Sequence, residues 1–361
     1  MDWLFRLRGD LSSQQRLILS SIGLFIFFAI WFVLTMGEEP IVTSGILPAP
    51  LKVLSSYGDL CSDNDLIKNA TFSIGLNIAG YLKAIFYSLI FGFAIGLFPL
   101  FRGLFQSQLD AIRYIPLAAA TSLFIVWFGI GVNMKVNFLA FGIIIFLLPI
   151  VVQRIDEVKD VYLKTVHTLG ATDWQIIKTV YIPSVVSRLF DDIRILTAIS
   201  WTYIVVAEGL GSQGGIGNLI FAAKRVSRID KLFALLLLII IIGVVQDLVF
   251  RYLDKEFFPY KYQTKEKYSN KLAEPGFIDM IINFVFNILI WILIAIYVLF
   301  IVAEFSPELL GVQPLSYFFG DTVWGIHTIF AGVVFYKVYK LYQKLVVDKA
   351  PVEQTEEDGG V

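Results

Sequence analysis

Few residues of this chain have the types and spacing that chemistry requires. Gly209, Gly211 and Gly214 spell GxGxxG, the spacing of a dinucleotide-binding turn. That turn needs a strand before it, whereas the segment upstream is a long apolar run, so we interpret the match as coincidental. The sequence contains no G-x-x-x-x-G-K-[ST] phosphate-binding loop. We therefore expect this chain not to hydrolyse ATP itself.

The other reactive side chains form no catalytic or metal-binding set. His167 and His327 are the two histidines, and no carboxylate or thiol cluster accompanies either, so we expect no metal site. Cys61 is the only cysteine, which excludes a disulfide within the chain. An intramembrane protease would need a nucleophile and a base in the bilayer, but no GxSxG occurs and His167 is predicted outside the lipid. We expect neither an enzyme nor a bound cofactor.

Glu208 is an ionisable residue at the end of an apolar run. It precedes five glycines in nine residues, among them Gly211 and Gly215. A carboxylate at membrane depth costs on the order of 3 kcal/mol, which makes it a functional candidate by default. The competing interpretation is a hydrated structural residue at the headgroups. Trp201, in the same run, could line a pathway, although such aromatic residues more often pack.

The composition places these residues in a membrane protein. Hydrophobic residues make up 57% of the chain and charged residues 16%. Apolar runs of about 20 residues recur, and each can cross a bilayer as a helix. The runs are continuous rather than alternating, which favours helices over a β-barrel. The sequence predicts an all-α polytopic bundle with eight spans, near 18–36, 80–101, 113–132, 136–153, 187–208, 231–252, 278–303 and 321–340.

Basic residues predict how the bundle is oriented. Arg6, Arg8 and Arg16 precede the first span, and the loop that follows that span is mainly acidic. The N-terminus is therefore expected in the cytoplasm, and eight spans bring the C-terminus to the same side. One predicted outer loop disagrees, because it carries four basic residues. They are Lys224, Arg225, Arg228 and Lys231.

A polar segment, residues 160–183, separates the fourth and fifth spans on the predicted cytoplasmic side. Its pattern predicts a short helix, a sharp turn at Gly170, and a second helix that is capped by Asp173 and ended by Pro183. We call residues 160–183 the elbow. An elbow of this kind would give a soluble partner a rigid handle on two membrane helices. Pattern alone does not distinguish this role from that of an ordinary amphipathic connector.

Four charged residues at the start of the fifth span have helical spacing. Arg188 could pair with Asp192, and Asp191 with Arg194. We interpret them as self-neutralising pairs at the membrane interface rather than as a substrate site.

Four blocks of the sequence resemble a known family of transport proteins. The elbow sequence TLGATDWQIIKTVYIP resembles the signature loop of permease subunits of binding-protein-dependent ABC importers. ILPAP at 46–50, YIPLAAATSLFIVWFGIG at 114–131 and VVAEGLGSQGGIGNLI at 205–220 resemble, in order, blocks of its nitrate, sulfonate, taurine and bicarbonate branch. The chain departs from the signature at Lys164, Thr165 and Val166, where the family usually has Glu-Ala-Ala. The resemblance covers roughly residues 18–262.

The resemblance implies a domain plan. Residues 1–17 would be a cytoplasmic N-terminus and residues 18–262 a six-span permease core. A cytoplasmic linker at 263–277 would lead to a two-span hairpin at 278–340 that the family usually lacks, and an acidic cytoplasmic tail would occupy 341–361. The protein would lie in the bacterial inner membrane, with a second copy of itself as a partner.

The resemblance also implies a function. The chain would form the pathway for a small solute such as nitrate, a sulfonate, taurine or bicarbonate, delivered by an extracytoplasmic binding protein. A cytoplasmic ATPase dimer would bind ATP-Mg and drive transport through the elbow. The expected coupling residues are Lys164, Thr168, Leu169, Gly170, Ala171, Asp173 and Pro183. Trp201, Glu208, Gly211 and Gly215 are the candidates for a pathway or gate.

An ion-coupled secondary transporter remains the alternative. Such a protein usually shows two related halves with broken helices, or buried acids near the midplane of the bilayer. The sequence shows no convincing repeat, and Glu208 lies near the end of its span.

Overall fold

The computed structural model describes residues 12–37, 39–211, 214–261, 277–306, 311 and 313–342. Every regular element within these residues is helical, which confirms the predicted all-α bundle. Most of the predicted N-terminal segment 1–17, of the linker 263–277 and of the tail 341–361 lies outside the described residues.

The helices are numbered here in chain order. They are α1 (Ser13–Thr35), α2 (Pro50–Asp63), α3 (Leu66–Leu97), α4 (Pro99–Ile112), α5 (Leu117–Phe128), α6 (Val132–Asp156), α7 (Asp160–Thr168), α8 (Asp173–Ile176), α9 (Ile182–Glu208), α10 (Ile216–Arg225), α11 (Ile229–Phe257), α12 (Phe277–Phe305), α13 (Pro314–Phe319) and α14 (Val323–Tyr342). A π-helical turn, Ile177–Tyr181, joins α8 to α9, and a 3-10 turn, Gly320–Thr322, joins α13 to α14.

Six stretches of the described residues are helical, long and apolar enough to cross a bilayer. They are α1, α3, α6, α11, the part of α12 from 288 to 305, and α13 with most of α14. Helices α4 and α5 count as one further span only if they are taken together across a bend of 111°. Helix α9 is long enough, but its first half carries the four charged residues that the sequence places there. The predicted second span, 80–101, lies mostly in α3, which begins earlier, at Leu66, and ends at Leu97; the last residues of the predicted span belong to α4.

Helices α3 and α6 form the central seam of the bundle. Gly80 packs on Leu139, and sixteen residues further along, Gly96 packs on Ile155. Both contacts join residues 59 positions apart, so the two helices run parallel. A Cβ atom at Gly80 would lie 2.6 Å from Leu139 Cδ2. Glycine therefore permits the close approach of the two backbones, as small residues do at membrane helix interfaces.

The chain between α3 and α6 must return across the bundle, because α3 and α6 are parallel. Helix α5 provides this return. Leu117, at its start, packs near Gly142, and Phe124, further along, stacks edge-on with Phe138, so α5 is antiparallel to α6. With 12 residues α5 is about 18 Å long, well short of the bilayer core. The predicted third span, 113–132, is thus a short helix that follows a sharp turn.

The remaining contacts define two ends of the bundle. Helix α9 runs antiparallel to α6, since Asp192 binds Arg154 and Tyr203 packs near Gly142. Its last residue, Glu208, reaches the first turns of α3, and we call this the Glu208 end. The opposite end carries the elbow, and we call it the elbow end.

The C-terminal helices pack along α3 and α11. Gly75 of α3 lies against Thr322, and Gly325 lies against Ala79, so α14 runs parallel to α3. At the elbow end the Tyr336 hydroxyl donates to the carbonyl oxygen of Glu256 at 2.7 Å. The described part of the hairpin therefore contacts the core near both of its ends.

Candidate functional site

Glu208 is fully buried at 0% exposure, inside a network of hydrogen bonds. Ser73 Oγ donates to Glu208 Oε1 at 2.6 Å, and the backbone N–H of Gly217 donates to Oε2 at 2.7 Å. Ser73 Oγ also accepts from the backbone N–H of Ile216 at 2.8 Å. We call Glu208, Ser73 and the backbone at 215–217 the Glu208 clasp. It joins the end of α9 to α3 and to the start of α10.

Gly215 allows the clasp to close. Its φ is +104°, a left-handed conformation that residues with a Cβ rarely adopt. A Cβ atom there would lie 2.3 Å from Glu208 Cδ, inside the carboxylate. The N–H of Gly215 donates to Asn69 Oδ1 at 2.6 Å, which ties the glycine segment to α3 a second time. Gly215 is thus needed for close approach of the backbone to the Glu208 carboxylate.

Two of the four sequence-predicted pathway residues meet in the clasp. Glu208 and Gly215 touch, while Gly211 lies beyond them and accepts a hydrogen bond on its carbonyl oxygen from Asn218 Nδ2 at 2.6 Å. Trp201 is buried between α9 and α11, and its Nε1 donates to Gln246 Oε1 at 3.0 Å. Its surroundings are those of a packing residue. The GxGxxG match follows helix α9 rather than a strand, and its positions 212 and 213 lie outside the described residues.

Lys135 lies near the clasp and was missed by the sequence interpretation. Its side chain is buried at 1% exposure, and its Nζ has no hydrogen-bond acceptor within the described residues. The ammonium lies 5.6 Å from the centroid of the Phe72 ring and within the electrostatic reach of Glu208. A basic residue in the first turn of an apolar helix is a signal that could have identified it.

The basic loop that opposed the predicted orientation also lies at the Glu208 end. Arg228 binds Asp59 at 3.1 Å and Asp230 at 2.9 Å, and these hydrogen bonds raise the pKa of the guanidinium. Lys231 Nζ donates to Asn64 Oδ1 at 3.1 Å. Part of the positive charge of this loop is therefore neutralised by carboxylates next to it.

The elbow is a helix, a tight turn and a second helix, as predicted. Helix α7 ends at Thr168, and Gly170 follows with a φ of +74°. The N–H of Ala171 donates back to the carbonyl oxygen of Val166 at 3.1 Å, which closes the turn. In the part of the chain that the structure describes, no side chain or backbone atom outside the turn would contact a Cβ atom at Gly170. The glycine is needed for its backbone conformation alone.

Two details of the predicted elbow are wrong. The residue that caps α8 is Thr172 rather than Asp173, because Thr172 and Gln175 form a reciprocal capping box. Pro183 does not end the second helix. The backbone continues in helical conformation from α8 through the π-helical turn into α9, and Pro183 lies in the first turn of α9, where a missing N–H costs little.

The predicted coupling residues lie on an exposed surface. Six of the seven are exposed and Ala171 is half-buried. The exposed ones are Lys164, Thr168, Leu169, Gly170, Asp173 and Pro183. Large apolar side chains share this surface, with Leu169 exposed at 80% and Trp174 at 69%. Apolar side chains grouped on a protruding surface are typical of a site that binds another protein.

The inner side of the elbow is firmly attached to the bundle. Ile176 and Val180 are buried in the main core. Arg154, at the end of α6, binds Asp192 through two nitrogens at 2.7 and 2.8 Å and Glu157 at 2.6 Å. The hydrogen bond from Arg154 holds the pKa of Glu157 below its ordinary value. A force on the elbow would therefore reach α6 and α9 directly.

The pairing predicted within α9 is wrong. Each of the four charged residues in its first half binds a group on another element instead, because those partners lie closer than neighbours on the same helix. The pairs are Arg188 with Glu157, Asp191 with Lys261, Asp192 with Arg154, and Arg194 with Asp247. These contacts join α9 to α6 and to α11 and its C-terminal extension.

Comparison with known proteins finds one family model that matches about half of this chain. Residues 84–258 match the family model described as binding-protein-dependent transport system inner membrane component. The matched region begins within α3 and ends after α11, so it includes the elbow, Glu208 and residues 215–217 of the clasp, but not Ser73.

Individual relatives agree with this match. The chain is 26% identical over 234 residues to an aliphatic sulfonates transport permease protein of Bacillus subtilis, covering 64% of this chain and 83% of that protein. It is 29% identical over 241 residues to an ABC transporter permease protein of Methanocaldococcus jannaschii, covering 65% and 89%. It is 24% identical over 258 residues to the taurine transport system permease protein of Escherichia coli, covering 70% and 92%.

Proposed function

We infer that this chain, which is an inner-membrane permease component of the binding-protein-dependent transport family, moves a small anionic organic solute such as a sulfonate or taurine. The family assignment gives the role of a transmembrane permease subunit. The solute is our proposal, and it is supported by the substrates named for the relatives in Bacillus subtilis and Escherichia coli.

We propose that the elbow docks on a separate ATPase subunit. The observation that carries this proposal is the contrast between the two faces of the elbow. Its outer surface exposes Leu169 and Trp174, while its inner side is fixed to α6 and α9 through buried side chains and ion pairs. Such an element can transmit a partner's motion to the bundle without unfolding. ATP-Mg would bind in the partner, and this chain would bind no cofactor.

The orientation follows from this assignment. The elbow end would face the cytoplasm, where ATP is available, with both termini on the same side. The Glu208 end would face the extracytoplasmic binding protein. The basic loop at that end is weaker evidence against this orientation than its sequence suggests, because Arg228 is paired with Asp59 and Asp230 and part of the positive charge is neutralised.

We also propose that two copies of the chain pair in the membrane. Helix α5 is too short to span the bilayer alone, and it exposes large apolar side chains, including Val126 and Trp127. A second copy would cover such a surface and complete a pathway between the two bundles.

Gly170→Asp tests the docking role. Within the described residues a Cβ atom at Gly170 would meet open space, and aspartate tolerates a left-handed conformation better than most residues do, so we expect the bundle to fold. A carboxylate on an apolar docking surface should weaken ATPase binding by roughly 2 kcal/mol and reduce ATP-driven uptake at least about tenfold. Co-purification of the ATPase and uptake into proteoliposomes would measure both effects.

Gly103→Asp is the matched control. Gly103 lies on α4, is exposed and also has open space around it, but it is outside the elbow. The same charge there should leave ATPase binding and uptake unchanged. Unchanged binding in Gly170→Asp, or equal loss in both variants, would count against docking through the elbow.

A further inference from the structure

A second lysine lies within the apolar bundle, and neither the sequence interpretation nor the family assignment gives it a role. Lys83 lies near the middle of α3, a 32-residue helix, about 15 Å along the axis from Ser73 of the clasp. Its Nζ donates to Asn137 Oδ1 of α6 at 2.8 Å. Asn137 Nδ2 in turn donates to the carbonyl oxygen of Asn133 at 2.9 Å, so the amide oxygen is left to face the ammonium.

The charge of Lys83 is not balanced by a carboxylate. Within the described residues it forms no ion pair, whereas Arg154, Arg194 and Lys261 each bind an aspartate. An ammonium has three N–H donors, and the structure gives one of them an acceptor. An unpaired cation in hydrocarbon costs several kcal/mol on most scales. Lys83 therefore requires water or an anion next to it.

The position of Lys83 shows on which surface of the bundle water or an anion could reach its ammonium. Lys83 and Asn137 are half-buried and Asn133 is exposed, so the three form a polar strip along the open side of the seam between α3 and α6. A lysine side chain on a helix extends towards the helix N-terminus, which here is the Glu208 end. The ammonium is thus directed along the strip towards the side on which a solute would enter.

We propose that Lys83 and Asn137 form an anion-binding position on the translocation pathway, which recognises the sulfonate or carboxylate group of the solute. This proposal rests on the proposed transport function, because the pathway supplies the water that the strip needs. The lysine would provide a charge-assisted hydrogen bond, and the amide N–H₂ of Asn137 would be available if it released the carbonyl oxygen of Asn133. A cationic solute would be repelled.

The single native cysteine makes the position testable without knowledge of the natural solute. Cys61 is free and exposed on α2, and Cys61→Ser removes it. Asn137→Cys is then introduced in the full chain, assembled with its ATPase in membranes. The introduced thiol is treated with an anionic and a cationic methanethiosulfonate reagent of similar size, and the two labelling rates are compared. Their ratio cancels any effect of Lys83 on the thiolate fraction.

We expect both reagents to label the thiol of the Asn137→Cys variant, with the anionic one favoured. Adding Lys83→Gln should reduce the ratio of anionic to cationic rates by roughly tenfold, because a focused positive charge raises local anion concentration by at least that factor. Lys83→Arg should preserve the ratio. Lys68→Gln is the matched control, since Lys68 is also on α3 but lies over the Tyr317 ring near the start of the helix. It should leave the ratio unchanged.

Two results would overturn the proposal. If neither reagent labelled the introduced thiol, water would not reach the strip. If Lys83→Gln left the ratio of anionic to cationic labelling rates unchanged, the position would not select anions. Neither result depends on docking of the ATPase. Gly170→Asp could fail to uncouple transport while Lys83→Gln still lowered the ratio of anionic to cationic labelling rates. That result would contradict docking through the elbow and would support the anion-binding position.

Discussion

The two ends of the bundle stabilise their polar residues in different ways. At the Glu208 end, a fully buried carboxylate accepts hydrogen bonds from a serine hydroxyl and from the backbone N–H of Gly217 in a glycine-rich segment. At the elbow end, carboxylates bind arginine and lysine side chains that join separate helices, and the elbow beyond them is exposed. The Glu208 end is held by short hydrogen bonds in a tightly packed site that has no room for an added atom. The elbow end is held by ion pairs between long side chains, next to an exposed surface.

This difference indicates which end can move and which can bind. The Glu208 clasp fixes α3, α9 and α10 together in one geometry, because shifting any one of them leaves a buried donor or acceptor unpaired. Ion pairs between flexible side chains keep their attraction over small displacements. We therefore expect a small displacement at the elbow end to cost less free energy than the same displacement of α3, α9 or α10 at the clasp.

Two glycines with positive φ provide the sharpest test of this contrast. We expect Gly215→Ala to destabilise the protein by roughly 3 kcal/mol, since a methyl group would overlap the Glu208 carboxylate in addition to the backbone strain. Gly170→Ala carries the backbone strain alone and should cost about 1 kcal/mol. Unfolding by sodium dodecyl sulfate in mixed micelles would measure both. Equal costs would show that crowding at the clasp is unimportant.

The general architecture follows from the sequence because it depends on local quantities. Apolar runs of sufficient length predict helices in lipid, and Gly170 between two polar helical stretches predicts the elbow turn. The partners of Glu208 could not be predicted in this way. Ser73 lies 135 residues away from Glu208 and is one of many serines on apolar helices, so only the packing of α3 against α9 selects it.

The dependence on packing between distant segments also explains why the ion pairs predicted within α9 were wrong. Helical spacing allowed pairs within α9, but spacing says nothing about neighbouring helices, and Arg154 reaches Asp192 from α6. Lys83 and Lys135 had a local signal, namely a basic residue inside an apolar run. Which groups these two lysines contact could be determined only from the packed structure.

A second comparison concerns burial at the elbow end. The Asp192 side chain is 11% exposed and receives two hydrogen bonds from Arg154, whereas that of Asp156 is 53% exposed and receives one from Arg102. We expect Asp192→Asn to destabilise the protein by about 2 kcal/mol, because a partly buried guanidinium loses the more buried of its two carboxylate partners and keeps only Glu157. Asp156→Asn should cost less than about 1 kcal/mol. Detergent-solubilised variants can be compared by thermal unfolding, and similar losses would contradict the role of burial.

The smallest expected effect is a pH dependence at Glu157, the carboxylate next to the elbow. Its pKa is lower in the folded protein than its ordinary value, so the ionised form stabilises the fold. This contribution is complete above the unfolded pKa of about 4.3 and is lost as the pH falls through the folded pKa. About a third of the side chain is exposed, so we expect less than about 1 kcal/mol.

The measurement is the stability difference between the wild type and Glu157→Gln at several pH values. The difference should be constant near about pH 7 and shrink below about pH 4, because protonated glutamate and glutamine then both lack the charge that Arg154 binds. Other acidic groups titrate in both proteins and largely cancel. A difference that grew on acidification would mean that Glu157 is stabilised as the neutral acid, and the ion-pair description of the elbow end would have to be abandoned at its central residue, Arg154.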